Sequence, residues 1–269
     1  MAERDNIDSP PVKLVKIIIR SPVLISVAVF IVMSAIVIGL SFKHYDLPFG
    51  NNVLVEAHGM LFDILIIGVL ILFLNRLAEK RITNKKYLDE IDDFRVWKSE
   101  EAAHRIAGNI KRLNRDGFKG RINLSSCFLK SADLSEVNLQ DARLEFANLQ
   151  NAYLDIINLQ GARLFQTNLE GASLWTANLY KADLHEANLK GAIFLNANLR
   201  EACLSEANLE KAYFKDANLE GAKGLTIEQL SKVETLYAAE LDPELMEQVK
   251  EKYPHLLEEP KWEESELDE

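Results

Sequence analysis

Residues 197–222 read ANLREACLSEANLEKAYFKDANLEGA, and Ala-Asn-Leu returns in this stretch every ten residues. Between those returns stands another Ala-x-Leu or Ala-x-Phe, so a large apolar residue occupies every fifth position. The same period runs from position 124 to position 219 without a miss, with eighteen Leu and two Phe. Two residues before each of these positions, Ala appears fifteen times. The five-residue period therefore decides how this part of the chain folds.

A five-residue period fits neither a helix nor a straight strand. In a helix, five residues advance the side chain by about 500°, which spreads successive leucines around the axis. In a strand, residues two apart share a face, whereas residues five apart do not. A turn in every pentapeptide resolves the conflict and predicts a coil that directs both Ala and Leu inward. The predicted core residues are Leu124, Leu129, Leu134, Leu139, Leu144, Leu149, Leu154, Leu159, Leu164, Leu169, Leu174, Leu179, Leu184, Leu189, Phe194, Leu199, Leu204, Leu209, Phe214 and Leu219.

The turn is expected two residues after each of these leucines. Gly161 and Gly171, among others, stand there and tolerate turn geometry. Lys181, Glu201 and Lys211 occupy the equivalent position. From these three residues we infer that a positive φ is not required at the turn.

The pattern A-[N/D/x]-L-x-x resembles that of the pentapeptide-repeat family. The resemblance implies a mainly β fold, a right-handed quadrilateral β-helix with four pentapeptides per coil and about five coils. In that register, Asn residues stack along two opposite faces, where their amides can bond to one another. The two remaining faces vary and are the expected interaction surfaces. Their candidate residues are Arg143, Arg163 and Asp183 on one face and Asp133, Tyr153 and Tyr213 on the other.

Two apolar segments precede the repeat and predict a transmembrane hairpin over 21–75. Residues 22–40 carry no charge and are long enough to cross a bilayer, and residues 53–74 form the second span. A retained helix is favoured over a cleaved signal peptide, because the first run is long and no A-x-A site follows it. Basic residues precede the first span and follow the second, so both termini are expected in the cytoplasm, at the inner membrane.

Three polar residues in or near the second span are candidates for intramembrane function. Asp63 falls near the middle of the span, Glu56 lies seven residues earlier, and His58 lies near the outer boundary. A carboxylate at that depth costs about 2.5–3.5 kcal/mol on insertion scales. The functional hypothesis is a relay or an ion site. The alternative is a protonated Asp63 that is hydrogen-bonded to the first helix or to a second copy of the hairpin.

The rest of the chain is divided by charge and helix signals. Residues 1–20 form a cytoplasmic N-terminal segment, 76–118 a basic helical connector and N-terminal cap, and 119–224 the β-helix. Ser99 followed by two Glu predicts a helix start within the connector. A capping box at Thr226 and Asp242 as an N-cap predict two helices in a C-terminal cap over 225–257. Residues 258–269 form an acidic tail.

No sequence motif for catalysis, a cofactor or a metal site is found, and Cys127 and Cys203 are expected to be free thiols. An enzyme is therefore not expected, nor is nucleic acid as a partner. The hairpin, connector and repeat together resemble bacterial, membrane-anchored members of the family. This organisation favours a non-enzymatic scaffold that binds an unidentified protein at the membrane, and a homo-oligomer is left open. Two alternatives are a DNA-mimic regulator of a type II topoisomerase and a hairpin oligomer that transports ions or protons.

Overall fold

The computed structural model describes residues 31, 32, 35, 39 and 48–260, without the side chains of 48–55, 57 and 58. The chain divides into two compact units, Met1–Thr83 and Asn84–Glu269. Helices α1 (Pro48–Phe94) and α2 (Glu100–Arg115) precede the repeat. Helix α3 (Ile227–Leu230), helix α4 (Pro243–Lys252) and a 3-10 helix (Pro254–Leu257) follow it.

Helix α1 contains the predicted second span and continues into the connector. Within the described residues, Gly59–Phe94 is one helix that is long and apolar enough to cross a membrane by length and composition. Its large apolar side chains between Met60 and Leu74 are mostly exposed. Most of the predicted first span, 22–40, and the acidic tail beyond residue 260 lie outside the described residues.

Residues 123–223 form a solenoid of short parallel β-bridges. Each bridge joins residues twenty apart, as in Asn138 to Asn158 and Tyr153 to Ser173. Because bridges recur at four positions within each twenty residues, the coil has four sides of one pentapeptide each. The Leu and Phe of the five-residue period are buried, and so is the Ala or its substitute two residues earlier. The predicted inward direction of both residues is therefore confirmed.

The corner geometry differs from the sequence-based inference. Lys181, Glu201 and Lys211 all have positive φ, at 58°, 55° and 56°, so the inference that the turn does not require it was wrong. In each corner the backbone N–H of the Ala, or of its substitute, donates to the carbonyl of the Leu or Phe three residues earlier, as Ala182 does at 2.9 Å. A positive φ at the third turn position is typical of a type II turn. The left-handed conformation costs about 1–2 kcal/mol, which the turn and ladder hydrogen bonds together offset.

Helix α2 and the segment before it close the first coil. Ser99 caps α2 as predicted, since its side chain accepts from the Ala102 N–H. The Asn114 side chain accepts from the Asn138 N–H at 2.7 Å. In the next coil the equivalent backbone N–H donates to a backbone carbonyl instead. The Arg95 guanidinium donates to the carbonyl oxygens of Asn123 and Ser125. These side chains therefore satisfy backbone groups at the open edge of the solenoid.

The C-terminal cap is only partly helical. The capping box at Thr226 and Gln229 is confirmed. Residues 232–240, by contrast, extend the ladder through bridges of Tyr213 to Thr235 and Asn218 to Glu240. Asp242 is the N-cap residue of α4, but its side chain makes no cap bond and accepts from the Gly221 N–H at 2.9 Å instead. The expected capping bond at Asp242 was therefore wrong, because the corner of the last coil uses that carboxylate.

Candidate interaction surfaces

Two opposite faces of the solenoid are covered by asparagine ladders. On one, the Asn178 amide donates to Asn158 Oδ1 at 3.2 Å, and Asn198 donates to Asn178 at 3.2 Å. On the other, Asn188 donates to Asn168 at 3.0 Å. Each Oδ1 also accepts from the backbone N–H two residues later, as Tyr180 donates to Asn178. The predicted amide stacking is confirmed, and these amides serve the coil itself.

The first variable face is organised around a buried carboxylate. The side chain of Glu145 is only 6% exposed. It accepts from Ser125 Oγ at 2.7 Å, and Arg163 Nε lies 3.0 Å and Arg143 Nε 3.4 Å from its Oε1. The two arginines predicted as interaction residues are therefore both engaged by Glu145. Asp183 lies one coil further and accepts from the His185 N–H at 3.2 Å.

The pKa of Glu145 reflects this cluster. Burial alone would raise the pKa of its carboxyl, but the hydrogen bond from Ser125 and the guanidinium groups of Arg163 and Arg143 outweigh burial. The pKa of Glu145 consequently lies below its usual range. Glu145 was not among the residues predicted from the sequence. The sequence signal that could have indicated it is an acidic residue lying between two arginines twenty residues apart, Arg143 and Arg163, which the four-sided coil stacks on one face.

A column of rings runs along the corner beside this face. Phe146 and Phe165 meet edge to face with ring centroids 5.5 Å apart, and Phe165 stacks on His185 at 5.6 Å. Phe146 is exposed. At the first coil it helps to line a groove of about 400 Å³ together with Arg95, Val96, Lys98, Ser126, Cys127, Phe128 and Asn148.

The second variable face carries exposed apolar side chains. At its start, Lys111 Nζ of α2 lies 2.6 Å from Asp133 Oδ2. This contact, together with the hydrogen bond that Asp133 accepts from the Ser135 N–H, lowers the pKa of Asp133. Further along, Tyr153, Trp175 and Ile193 are exposed. Trp175 and its neighbour Ile156 were not predicted, because they stand at corner positions rather than in the central column.

The candidate intramembrane residues lie on helix α1. Glu56 and Asp63 are both exposed, and His58 belongs to the helix but its side chain lies outside the described part. The structure therefore places Glu56 and Asp63 on one helix without bringing another candidate to them.

The described residues offer little to catalysis. Among them, no group of three or more His, Cys, Asp or Glu side chains is arranged to hold a metal ion. Both cysteines are free. Burial raises the pKa of the Cys127 thiol to about 11, so this thiol stays protonated at neutral pH. The interior of the solenoid is filled by Leu, Ala and Phe.

A four-sided solenoid of pentapeptides, with a filled core and open outer faces, defines a class of repeat proteins. The family model for pentapeptide repeats matches eight copies within residues 121–155, 157–194 and 192–223. The chain belongs to the pentapeptide-repeat family, whose members fold as right-handed β-helices. This agrees with the expectation from the five-residue period.

Several solved structures are similar to the repeat. HetL, a pentapeptide repeat protein of the cyanobacterium Nostoc sp. strain PCC 7120 involved in heterocyst differentiation regulation, is 35% identical (45% of this chain, 60% of HetL, TM-score 0.29). A second pentapeptide repeat protein of that cyanobacterium is 30% identical (49% of this chain, 95% of that protein, TM-score 0.20). QnrB1, a plasmid-mediated fluoroquinolone resistance protein, is 18% identical (48% of this chain, 72% of QnrB1, TM-score 0.33). The chain thus spans less than two thirds of HetL, and among curated proteins none matches it.

Proposed function

We propose that this protein is a non-enzymatic scaffold, anchored in the cytoplasmic membrane by an N-terminal hairpin and binding another protein through the variable faces of its β-helix. The observation that carries the proposal is the combination, in one chain, of an exposed apolar helix segment and a solenoid whose core is full. Large apolar side chains in water are unfavourable at about 25 cal/mol per Å². The exposed segment of α1 between Met60 and Leu74 is therefore expected to lie in the hydrocarbon region of a lipid bilayer.

The hairpin part of the proposal is supported by a half-buried seam on α1. Leu61, Leu65, Gly68 and Leu72 are half-buried while most of the intervening residues are exposed. Their spacing of four, three and four places them on one helix face. We propose that the first span, residues 22–40, packs against this face, where Gly68 allows a close approach.

Cysteine labelling tests the topology. In a Cys203→Ser background, Asp46→Cys in the connecting loop is expected to react with a membrane-impermeant maleimide from outside intact cells. Glu206→Cys, on an exposed corner of the solenoid, is expected to react only after the membrane is opened. Labelling of Glu206→Cys from outside would contradict the topology, and recovery of the protein in the soluble fraction would contradict the anchor.

The scaffold role itself requires a partner. Proximity labelling from the C-terminus in living cells is expected to enrich a small set of proteins that bind the cytoplasmic face. Uniform labelling of membrane neighbours, without enrichment over an unrelated anchor, would argue against a scaffold.

The DNA-mimic alternative requires acidic faces, and several acidic side chains of this solenoid are paired with basic ones. Glu201, Glu210 and Glu220 lie within 3.4, 2.8 and 3.2 Å of Lys181, Lys190 and Arg200. Residues 122–221 hold eight Lys or Arg against thirteen Asp or Glu, so the net negative charge on the coils is modest. Inhibition of gyrase supercoiling by the purified protein would support this alternative, and unchanged supercoiling would remove it.

The transport alternative rests on Asp63 and Glu56, which are exposed on α1. A carboxylate at the depth of Asp63 is a candidate for an ion or proton site by default. Flux through vesicles reconstituted with the full chain is expected to fall on Asp63→Asn if the alternative holds. Equal flux for both proteins would eliminate it.

A further inference from the structure

The second variable face presents an apolar patch in the middle of the solenoid, around the carboxylate of Asp155. Tyr153, Ser173 and Ile193 follow one another along the central column of this face, joined by parallel bridges. Tyr153 is 57% exposed, Trp175 50%, Ile156 54% and Ile193 36%. The Ile156 N–H donates to the Trp175 carbonyl at 2.8 Å, so these two lie at one corner in adjacent coils. The patch therefore covers three successive coils. Its area, on the order of 400 Å², falls in the range of patches that are often functional.

Polar groups at the centre of this patch are already satisfied. The Ser173 hydroxyl donates to Asp155, whose carboxylate also accepts from the Trp175 N–H. At the edges, Lys190 pairs with Glu210 at 2.8 Å. Covering the patch would therefore leave the Ser173 hydroxyl and the Trp175 N–H with their hydrogen-bond partners, while the Asp155 carboxylate keeps its charge.

The two edges of the patch are complementary in size. One corner column carries Ile156, Trp175 and Leu195, whereas the opposite corner carries Gly171 and Gly191. Both glycines have positive φ, and no heavy atom lies within 4 Å of a Cβ placed on Gly191. One edge thus projects bulky side chains, while the other has open space beside Gly191.

We propose that this patch binds a second copy of the chain, around a two-fold axis that runs parallel to the solenoid. Such an axis brings each edge of one copy opposite the other edge of its partner, and it places equivalent coils at the same height along the solenoid. Trp175 of each copy therefore lies over the Gly171 and Gly191 edge of the other. The common direction of the two solenoids rests on the proposed membrane anchor, whereas the pairing of the faces does not.

The size of the patch agrees with this occupant. A standard interface buries about 800 Å² on each partner, of which about 56–58% is apolar, or roughly 450 Å². The exposed apolar area of the patch is close to that requirement. Trp and Tyr are also the residues that dominate binding energy when they lie at the centre of an interface.

Disulfide trapping tests the geometry of the pair. In membranes containing the full chain with Cys203→Ser, Ser173→Cys and Ile193→Cys lie close to the proposed axis. Each is expected to form a disulfide-linked dimer at least about tenfold faster than Glu206→Cys, which lies on another corner. Rates equal to that of Glu206→Cys would overturn the pairing. If the chain proves to be soluble, the same trapping is scored in solution, so failure of the anchor and failure of the pairing remain distinguishable.

Matched glycine variants separate the interface from the fold. Gly171→Gln is expected to reduce trapping at Ser173→Cys about tenfold, because the longer side chain projects from the edge that Trp175 of the other copy would contact. Gly161→Gln is the control, since Gly161 has the same φ of +65° as Gly171 and a carboxylate oxygen 2.5 Å from its added Cβ, where Gly171 has an amide oxygen at 2.4 Å. The two substitutions thus strain the coil alike but lie on different corners. Equal trapping in both variants would overturn the proposal.

Discussion

Arg95 donates from Nη1 to the carbonyl oxygen of Ser125 at 2.7 Å. In the next coil the equivalent carbonyl, that of Glu145, accepts instead from the Ser126 N–H at 2.9 Å. The guanidinium also donates to the Asn123 carbonyl at 3.0 Å. One side chain thus takes the place of two backbone donors that a further coil would supply, and it closes an edge that would otherwise be open to strand pairing.

Replacing this cap should loosen the first coil. Hydrogen bonds to a charged group contribute about 1.5–3 kcal/mol each, so Arg95→Ala is expected to lower the local free energy of unfolding by about 2–3 kcal/mol. Hydrogen exchange of the peptide that contains residues 122–131, in the full chain, measures this change. Arg105→Ala is the control, because Arg105 is half-exposed and pairs with Glu101 one helical turn away. Equal protection in the two variants would show that Arg95 is not a cap.

The corner conformation gives a second prediction. Gly191 has a φ of +64° and open space where a Cβ would lie, so Gly191→Ala tests the backbone conformation without a clash. We expect a loss of about 1 kcal/mol in local unfolding free energy. Gly108→Ala is the matched control within helix α2, where Ala is favoured over Gly by about 1 kcal/mol. A neutral Gly191→Ala would contradict the positive φ at this corner.

The sequence predicted the inward residues of the coil because burial repeats with the same five-residue period as Leu124 and its successors. It failed where two weak terms compete. The positive φ of Lys181 depends on the turn hydrogen bond and the ladder hydrogen bonds together, and no single residue type indicates that combination. The roles of Asp242 and Glu145 were missed because each depends on neighbours about twenty residues away in sequence. Trp175 was missed because corner positions were not considered as part of the variable face.

The asparagine ladder is expected to be strongest in its interior. Asn178 makes three hydrogen bonds, donating to Asn158 and accepting from Asn198 and the Tyr180 N–H, each at 3.2 Å. Asn178→Ala is therefore expected to lower the local free energy of unfolding by about 2–3 kcal/mol, at about 1 kcal/mol per bond. Hydrogen exchange of the three adjacent coils provides the measurement.

Asn208→Ala serves as the comparison for Asn178→Ala. Asn208 donates to Asn188 at 3.2 Å and accepts from the Glu210 N–H at 3.1 Å, so it makes one bond fewer and is more exposed. We expect a loss of about 1 kcal/mol. A larger loss at Asn208 than at Asn178 would contradict the view that the ladder, rather than the individual corner, stabilises the face.

The Glu145 cluster should make the stability of the first coils depend on pH. Because the folded-state pKa of Glu145 lies below its usual range, its contribution is fully present above about pH 4.3, the ordinary value for Glu. It is lost as the pH falls through the lower folded-state pKa. Glu145→Gln is thus expected to cost about 1–3 kcal/mol at pH 7, and this deficit relative to the native chain should shrink below about pH 4. Hydrogen exchange or denaturant unfolding of the full chain at several pH values measures this deficit.

Glu206→Gln, at an exposed corner, is the control and is expected to show neither the loss of stability at pH 7 nor its decrease at low pH. A Glu145→Gln deficit that stays constant from pH 7 to pH 3 would mean that the carboxylate charge does not stabilise the cluster.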